Sequence, residues 1–280
     1  MTRLLVDGVR YQVKVGGSGP ALLLLHGFTG RGSGWAPHLP ALRRVATTIQ
    51  VYLLGHGESD APADPARHAV ERQAADLAEI LRRVAGGRAD ALGYSFGARL
   101  ALALAIGSPA SVRRLVLESP SAGFADPQER AARRAADQTL ADVIERDGIP
   151  AFVEYWEKQP LFATQTAMSE AARRRLHQGR LRNRSAGLAA SLRGAGQGAM
   201  APMYDGLAAI ATPTLVICGA LDPVRPRAEL VASGMPDARL EVAQGAGHAV
   251  HLEAHAVFRS LVLSFISAPQ ASLASSEEVA

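Results

Sequence analysis

Gly93-Tyr94-Ser95-Phe96-Gly97 is the stretch that decides the fold. It fits the pattern G-x-S-x-G and stands where a strand gives way to a helix. The apolar segment Ala89–Leu92 precedes it. Ala98-Arg99-Leu100-Ala101-Leu102-Ala103-Leu104-Ala105, rich in good helix formers, follows it. A serine in that place sits on a tight turn that holds its hydroxyl clear of the backbone at the top of a sheet. The flanking glycines leave room where neighbouring segments pack too closely for a Cβ. The pattern alone is weak, because Gly and Ser are common and also meet in loops. Its weight comes from the segments around it.

Upstream, Leu4–Val6 and Tyr11–Val15 read as two short strands with a turn at Asp7-Gly8. Ala21–Leu25 is a buried strand, Trp35–Arg44 a helix and Thr47–Leu53 a strand. Ala69–Val84 places Ala74, Leu77, Ile80, Leu81 and Val84 on one helical face. Strand Ala89–Gly93, helix Phe96–Ile106 and strand Arg113–Leu117 follow. The alternation resumes with strand Thr214–Cys218, helix Arg227–Gly234, strand Arg239–Val242 and helix Val250–Ile266. Such alternation predicts an α/β fold, a mostly parallel sheet flanked by helices. Between the two halves no strand is legible. Helices are predicted at Pro127–Asp147, Ile149–Lys158, Ser169–Gln178 and Ser185–Gly194. The expected organisation is therefore a core of 1–122 and 205–267 with an all-helical cap, 123–204, inserted between two strands. The small, polar, acidic tail 268–280 is expected to be disordered.

The bulk numbers fit one large domain or a domain with an insertion: 280 residues, 48% of them hydrophobic. No apolar run reaches the length of a membrane span. Met1–Asp7 carries a charge within its apolar part and no small-residue cleavage site, which predicts no secretory leader. The single cysteine, Cys218, allows no intrachain disulfide and suits a reducing cytoplasm. The net charge is +4, carried almost wholly by arginine, since Lys14 and Lys158 are the only lysines. No basic stripe with interleaved aromatics points to nucleic acid. An anionic small substrate is the better reason for arginines crowded between Arg130 and Arg193. No His/Cys cluster has metal-ligand spacing, and no metal or organic cofactor is implied. The partner expected is that small anion alone, with the chain a monomer or small homo-oligomer.

These features together resemble the α/β-hydrolase superfamily, in which a serine, an acid and a histidine follow in that chain order, each on a loop after a strand. A serine hydroxyl needs a histidine to activate it, and the histidine needs an orienting carboxylate. Asp222, in Cys218-Gly219-Ala220-Leu221-Asp222-Pro223, follows one late strand. His248, in Gly245-Ala246-Gly247-His248, follows the next. His251, His255 and Asp237 compete, but the glycine-flanked loop favours His248. Backbone N–H groups of Phe96 and of Phe28, in His26-Gly27-Phe28-Thr29-Gly30, are expected to form the oxyanion hole. His26, and His56 in Gly55-His56-Gly57-Glu58-Ser59, are expected to be structural.

Within the superfamily the chain resembles the 2-succinyl-6-hydroxy-2,4-cyclohexadiene-1-carboxylate synthases of menaquinone biosynthesis, the MenH type. The residues that carry this likeness are Gly93-Tyr94-Ser95-Phe96-Gly97-Ala98-Arg99 and Glu118-Ser119-Pro120-Ser121-Ala122-Gly123. Within the predicted cap they are Gln128-Glu129-Arg130-Ala131-Ala132-Arg133-Arg134, Asp137, Phe152–Phe162, Leu181-Arg182-Asn183 and Ser191-Leu192-Arg193-Gly194. The resemblance implies a lyase that eliminates pyruvate from a cyclohexene bearing three carboxylates. It also implies an anion-binding set of Arg99, Arg133 and Arg182, with Tyr94 and Trp156 lining the pocket. Arg99 lies one helical turn beyond Ser95, within reach of the same pocket. Two departures stand out: Tyr52-Leu53-Leu54 where related folds carry Asp-Leu-Pro, and Ala98 in place of a common glycine. A carboxylesterase or carbon–carbon bond hydrolase, and more remotely a non-catalytic binding protein, are the rival readings.

Overall fold

The apolar runs pair into one eight-stranded sheet in the order β1-β2-β4-β3-β5-β6-β7-β8. The computed structural model describes residues 2–269. Its strands are β1 (Thr2–Val6), β2 (Val9–Gly17), β3 (Ala21–Leu25), β4 (Thr47–Val51), β5 (Ala89–Tyr94), β6 (Val112–Glu118), β7 (Thr214–Gly219) and β8 (Ala238–Ala243). β2 pairs antiparallel with both β1 and β4, and the other strands pair parallel. The turn between β1 and β2 puts Asp7 and Gly8 at φ 42° and 77°. Gly tolerates that region freely and Asp better than most residues.

The central strands have no exposed face, so their runs Leu22–Leu25, Leu115–Leu117 and Leu215–Cys218 are apolar throughout. Helices α2 (Val70–Ala85) and α3 (Phe96–Gly107) close one side. On the other side α10 (His255–Ser267) lays Phe258, Val262 and Ile266 over Trp35, Leu24 and Val116. Two expected helices come out differently. In place of a helix over Trp35–Arg44, the chain makes a 3-10 turn at Gly32–Trp35 and a short α1 (Leu39–Leu42). Pro37 and Pro40 explain the interruption, since proline lacks an N–H and disfavours helical backbone before it. The helix expected over Val250–Ile266 is split into α9 (Val250–Glu253) and α10, with Ala254 at φ −133° and ψ 57°. At this break the Glu253 carboxylate turns back and accepts from the N–H groups of Gly247 and Ala249, at 2.7 and 3.1 Å.

Between β6 and β7 only helices occur: α4 (Pro127–Glu157), a 3-10 segment (Pro160–Ala167), α5 (Glu170–Leu181), α6 (Ser185–Ala195) and the short α7 (Tyr204–Leu207). α8 (Arg225–Ser233) then connects β7 to β8. Asp126 starts α4 by accepting from the N–H groups of Gln128 and Glu129. Gly148, at φ 80° and ψ 174°, breaks α4 into two helices. The insertion has its own apolar centre, with Ile144, Phe152, Val153, Leu188 and Leu192, and Phe28 and Trp156 pack against it. The predicted tail from Ala268 falls almost wholly on residues 270–280, which lie outside the described residues.

The insertion sits directly on the loop after β4. A Cβ on Gly55 would overlap the Gly187 carbonyl oxygen, and a Cβ on Gly187 would overlap that of Gly55. Both obstacles are backbone, so neither can swing away. Gly187→Ala is therefore expected to cost about 1–3 kcal/mol. Gly107→Ala, where an added Cβ meets nothing within 4 Å, is expected to be neutral or slightly stabilising. Chemical denaturation of both variants checks the contrast, and equal stabilities would refute it.

Candidate active site

Ser95 occupies the bend between β5 and α3 at φ 51° and ψ −104°, a conformation that costs energy for any residue with a Cβ. The bend survives because its neighbours are glycines. A Cβ on Gly93 would overlap the Gly97 carbonyl, and one on Gly97 would overlap the Leu25 carbonyl at the end of β3. The Ser95 N–H donates to the Glu118 carbonyl of β6 at 2.9 Å, which ties the bend to the next strand. Phe96 is the first residue of α3, so its N–H is one that a helix leaves unpaired.

The loops after β7 and β8 bring Asp222 and His248 to this serine. His248 Nε2 lies 3.0 Å from Ser95 Oγ. His248 Nδ1 lies 3.1 Å from both Asp222 carboxylate oxygens. A proton on Nδ1, donated to Asp222, leaves Nε2 free to accept from the serine hydroxyl. Burial would raise the Asp222 pKa, but His248, the Val224 N–H and Ser119 outweigh it and hold it below the usual carboxylate value. Asp222 therefore stays an anion opposite the imidazole.

Ser119 is a member of this group that sequence reasoning passed over as part of a family motif. Its hydroxyl lies 2.7 Å from Asp222 Oδ2 and 2.9 Å from the His248 carbonyl oxygen. It follows β6 directly and has φ 48°, so three loops after three adjacent strands converge on one carboxylate. The signal in the sequence was its place immediately after a strand.

The other histidines are held in structural roles. His26 Nδ1 donates to the Gly27 carbonyl and its Nε2 accepts from the Leu53 N–H. Burial lowers its pKa to about 4, so it is neutral. His56 donates to the Leu54 carbonyl, and burial, with His26 beside it, holds it well below the ordinary histidine value. Of the competitors, His251 is engaged by the buried Glu118, Nδ1 to Oε1 at 2.9 Å, and His255 donates to the His251 carbonyl. Asp237 accepts from the Thr214 N–H through its backbone carbonyl.

Ser95 opens into a cavity of about 80 Å³ whose wall includes Phe28, Tyr94, Phe96, Arg99, Trp156 and His248. Arg99 is 8% exposed. Its Nη1 donates to the Ala195 carbonyl at 2.6 Å, and the guanidinium lies 4.9 Å from the Phe96 ring centre. No ion pair among the described residues involves it. Burial, then the like charge of Arg133, lower its pKa to about 9. Arg133 reaches the same cavity but is already paired with Asp137, Nε to Oδ1 at 2.8 Å. Burial, then Glu118, push the Tyr94 phenol well above 10, so it keeps its proton.

Arg182 is corrected by the structure. It is the exposed residue that caps α5 and lines neither cavity; its carbonyl accepts from Arg31. The arginine turned inward is Arg180, 6% exposed, 2.9 Å from Glu157 Oε1 and stacked on Phe162. Positions two apart lie on nearly opposite sides of a helix. Arg180 faces a neighbouring cavity of about 240 Å³, which shares Phe28, Tyr94 and Phe162 with the first. Among the described residues, no group of three or more His, Cys, Asp or Glu is placed to hold a metal ion. No helix there is long and apolar enough to cross a membrane.

The family model for the α/β hydrolase fold matches residues 20–255. A Bacillus subtilis (strain 168) protein provisionally named 2-succinyl-6-hydroxy-2,4-cyclohexadiene-1-carboxylate synthase is 40% identical, over 93% of this chain and 96% of its own. The Pectobacterium atrosepticum protein of that name is 30% identical, over 89% and 95%. The solved structure of MenH from S. aureus superposes with a TM-score of 0.87 at 28% identity, covering 91% of this chain and 97% of that one. With its serine on a strand-to-helix bend and its sheet order, this chain belongs to the α/β-hydrolase fold family.

Proposed function

We propose that the protein is a lyase. It eliminates pyruvate from 2-succinyl-5-enolpyruvyl-6-hydroxy-3-cyclohexene-1-carboxylate to give 2-succinyl-6-hydroxy-2,4-cyclohexadiene-1-carboxylate, a step of menaquinone biosynthesis. The observation that carries this reading beyond the family is Arg99. A buried guanidinium beside the serine, in no ion pair among the described residues, suits a substrate that brings its own carboxylate. An esterase acting on neutral substrates has no use for that arrangement. The two relatives named for this activity span nearly the whole chain.

Asp222 orients His248, and His248 takes the proton of Ser95. Ser95 then removes the ring proton next to the succinyl carbonyl. The electron pair runs onto that carbonyl oxygen, where the N–H groups of Phe28 and Phe96 are assigned to hold it. As it returns, the ring–oxygen bond breaks and the enolpyruvyl group leaves, to become pyruvate on gaining a proton. No water is consumed and no acyl-enzyme is formed. Arg99 and Arg133 hold carboxylates so that the ring proton stays within reach of Ser95. Tyr94 and Trp156 give the ring an apolar wall. The helical insertion, read as a cap over 123–204, excludes water from the charge that develops. The setting is the cytoplasm, in keeping with one buried thiol and no disulfide.

Incubating the protein with the cyclohexene and coupling pyruvate to a dehydrogenase tests the reading. Pyruvate release is expected, and Ser95→Ala is expected to reduce it by at least about a thousandfold. Brisk ester hydrolysis without pyruvate would sink the lyase in favour of a hydrolase. Unchanged turnover in Ser95→Ala would favour a binding protein.

Ser119→Ala leaves Asp222 its other partners, so kcat is expected to fall about tenfold, the loss of one hydrogen bond to a charged group. Asp222→Asn, which favours the wrong histidine tautomer, is expected to lose about a thousandfold or more. Equal losses in the two variants would contradict these assignments.

The Arg99 guanidinium keeps its charge at working pH. Arg99→Met is therefore expected to raise KM for the cyclohexene about tenfold or more in the pyruvate-release assay, and to keep or raise the Tm in a thermal melt, since it withdraws a buried charge. An unchanged KM would contradict the assignment.

A further inference from the structure

The elimination places charge on two oxygens in turn. The succinyl carbonyl oxygen takes it first, where the N–H groups of Phe96 and Phe28 are assigned. The oxygen that joins the ring to the enolpyruvyl group takes it next, as its bond to the ring breaks. Arg99 and Arg133 are assigned to carboxylates, so this second oxygen needs a donor of its own.

Gln197 stands in the wall of the cavity at Ser95, beside Arg99 and Arg133. It belongs to the turn that leaves α6, and both flanks of that turn are tied to these arginines. The Ala195 carbonyl accepts from Arg99. The Gly198 N–H lies 3.5 Å from Oδ2 of Asp137, the partner of Arg133. A Cβ on Gly196 would overlap the Leu192 carbonyl, and one on Gly198 would overlap the backbone nitrogen of Arg134. The turn is packed backbone against backbone, which sets the place of Gln197 closely.

Two donors settle which way its amide faces. Gln197 Oε1 accepts from Arg227 Nη1 at 2.8 Å and from Ser121 Oγ at 3.2 Å. Arg227, half-buried on α8, lies 4.0 Å from the centre of the Phe124 ring. With its oxygen taken twice, the amide turns its NH2 group the other way. No hydrogen bond among the described residues engages that nitrogen. A neutral donor suits an oxygen that is an ether before the bond breaks and an enolate after. Its hydrogen bond is weak to the first and charge-assisted to the second, so it favours the transition state over the bound substrate.

We propose that Gln197 is the leaving-group donor of the elimination, its NH2 group bonded to the enolpyruvyl oxygen, with Arg227 and Ser121 as positioning residues. The inference rests on the lyase reading above. The pair on the succinyl oxygen re-forms the carbonyl, and the pair of the enolate double bond becomes the new ring double bond. The pair of the ring–oxygen bond leaves on the oxygen that faces Gln197. The enolate of pyruvate then takes one proton on its methylene carbon, which balances the ring proton removed by Ser95.

The test uses Gln197→Leu, which removes oxygen and donor together, and Gln197→Glu. The second keeps an oxygen for Arg227 and Ser121 but puts another oxygen where the NH2 group stood. Pyruvate release is measured at steady state. The same reaction is run in D2O, and the recovered cyclohexene is examined by mass spectrometry for deuterium at the carbon next to the succinyl carbonyl. Both variants are expected to lose about a hundredfold in kcat, and Gln197→Leu to hold KM within about threefold. Slowing the second step returns more enolate to substrate, so the ratio of deuterium uptake to pyruvate release is expected to rise about tenfold or more in both. A purely structural role would lower uptake and release together and would spare Gln197→Glu. An unchanged ratio, a fully active Gln197→Glu or an unchanged kcat in Gln197→Leu would overturn the assignment while leaving the lyase intact. Absence of pyruvate from the unmodified protein would overturn the lyase reading and this donor with it.

Discussion

Everything at this site hangs on one backbone constraint, the left-handed bend at Ser95. The bend is affordable only because two glycines let three chain segments meet almost in contact. Gly93 presses on the first turn of α3, and Gly97 presses on the carbonyl at the end of β3. The same closeness brings Phe96 and Phe28, one from each segment, to the wall of the cavity at Ser95. The nucleophile and the loop after β3 are thus held by one packing solution. A side chain at either glycine would disturb both together, which ties the chemistry to the centre of the sheet.

From that fixed point the supports spread across neighbouring strands. β6 receives the Ser95 N–H at Glu118 and, one residue later, offers the Ser119 hydroxyl to Asp222. β7 delivers Asp222 and β8 delivers His248. Parallel strands make this possible, because all their ends emerge on one edge and a ligand site forms there. The break at Ala254 belongs to the same arrangement. By turning back to Gly247 and Ala249, Glu253 stiffens the loop that carries the histidine.

The sheet, the bend and the order of Ser95, Asp222 and His248 were legible because each is written in local signals. Buried strands show as unbroken apolar runs, and sharp turns show as glycine. What was illegible depended on helix phase or on distant contacts. In α5 the arginines Arg173, Arg174, Arg175 and Arg180, with Arg182 just after, follow one another with few apolar residues to mark an inner face. The choice between Arg180 and Arg182 then turns on a half-turn of rotation that no periodicity defines. The break at Ala254 was hidden for another reason, since it accompanies a side chain reaching back to an earlier loop. Ser119 lay in plain view, but nothing in its neighbours announces a positive φ.

The arginines differ in how the protein itself restrains them, and that difference orders the site. Arg133 is held by Asp137 and Arg180 by Glu157, each through a carboxylate that fixes the guanidinium and offsets part of its charge. Arg99 makes no ion pair among the described residues; it hydrogen-bonds a carbonyl and a thioether and lies against an aromatic face. Paired arginines can tolerate an empty cavity, and they offer an anion geometry more than net charge. The unpaired one is costly until an anion arrives, so differential stabilisation by ligand is greatest there. The electrostatic demand is thus greatest at Arg99, one helical turn from Ser95, and a group that meets it there is held beside the nucleophile.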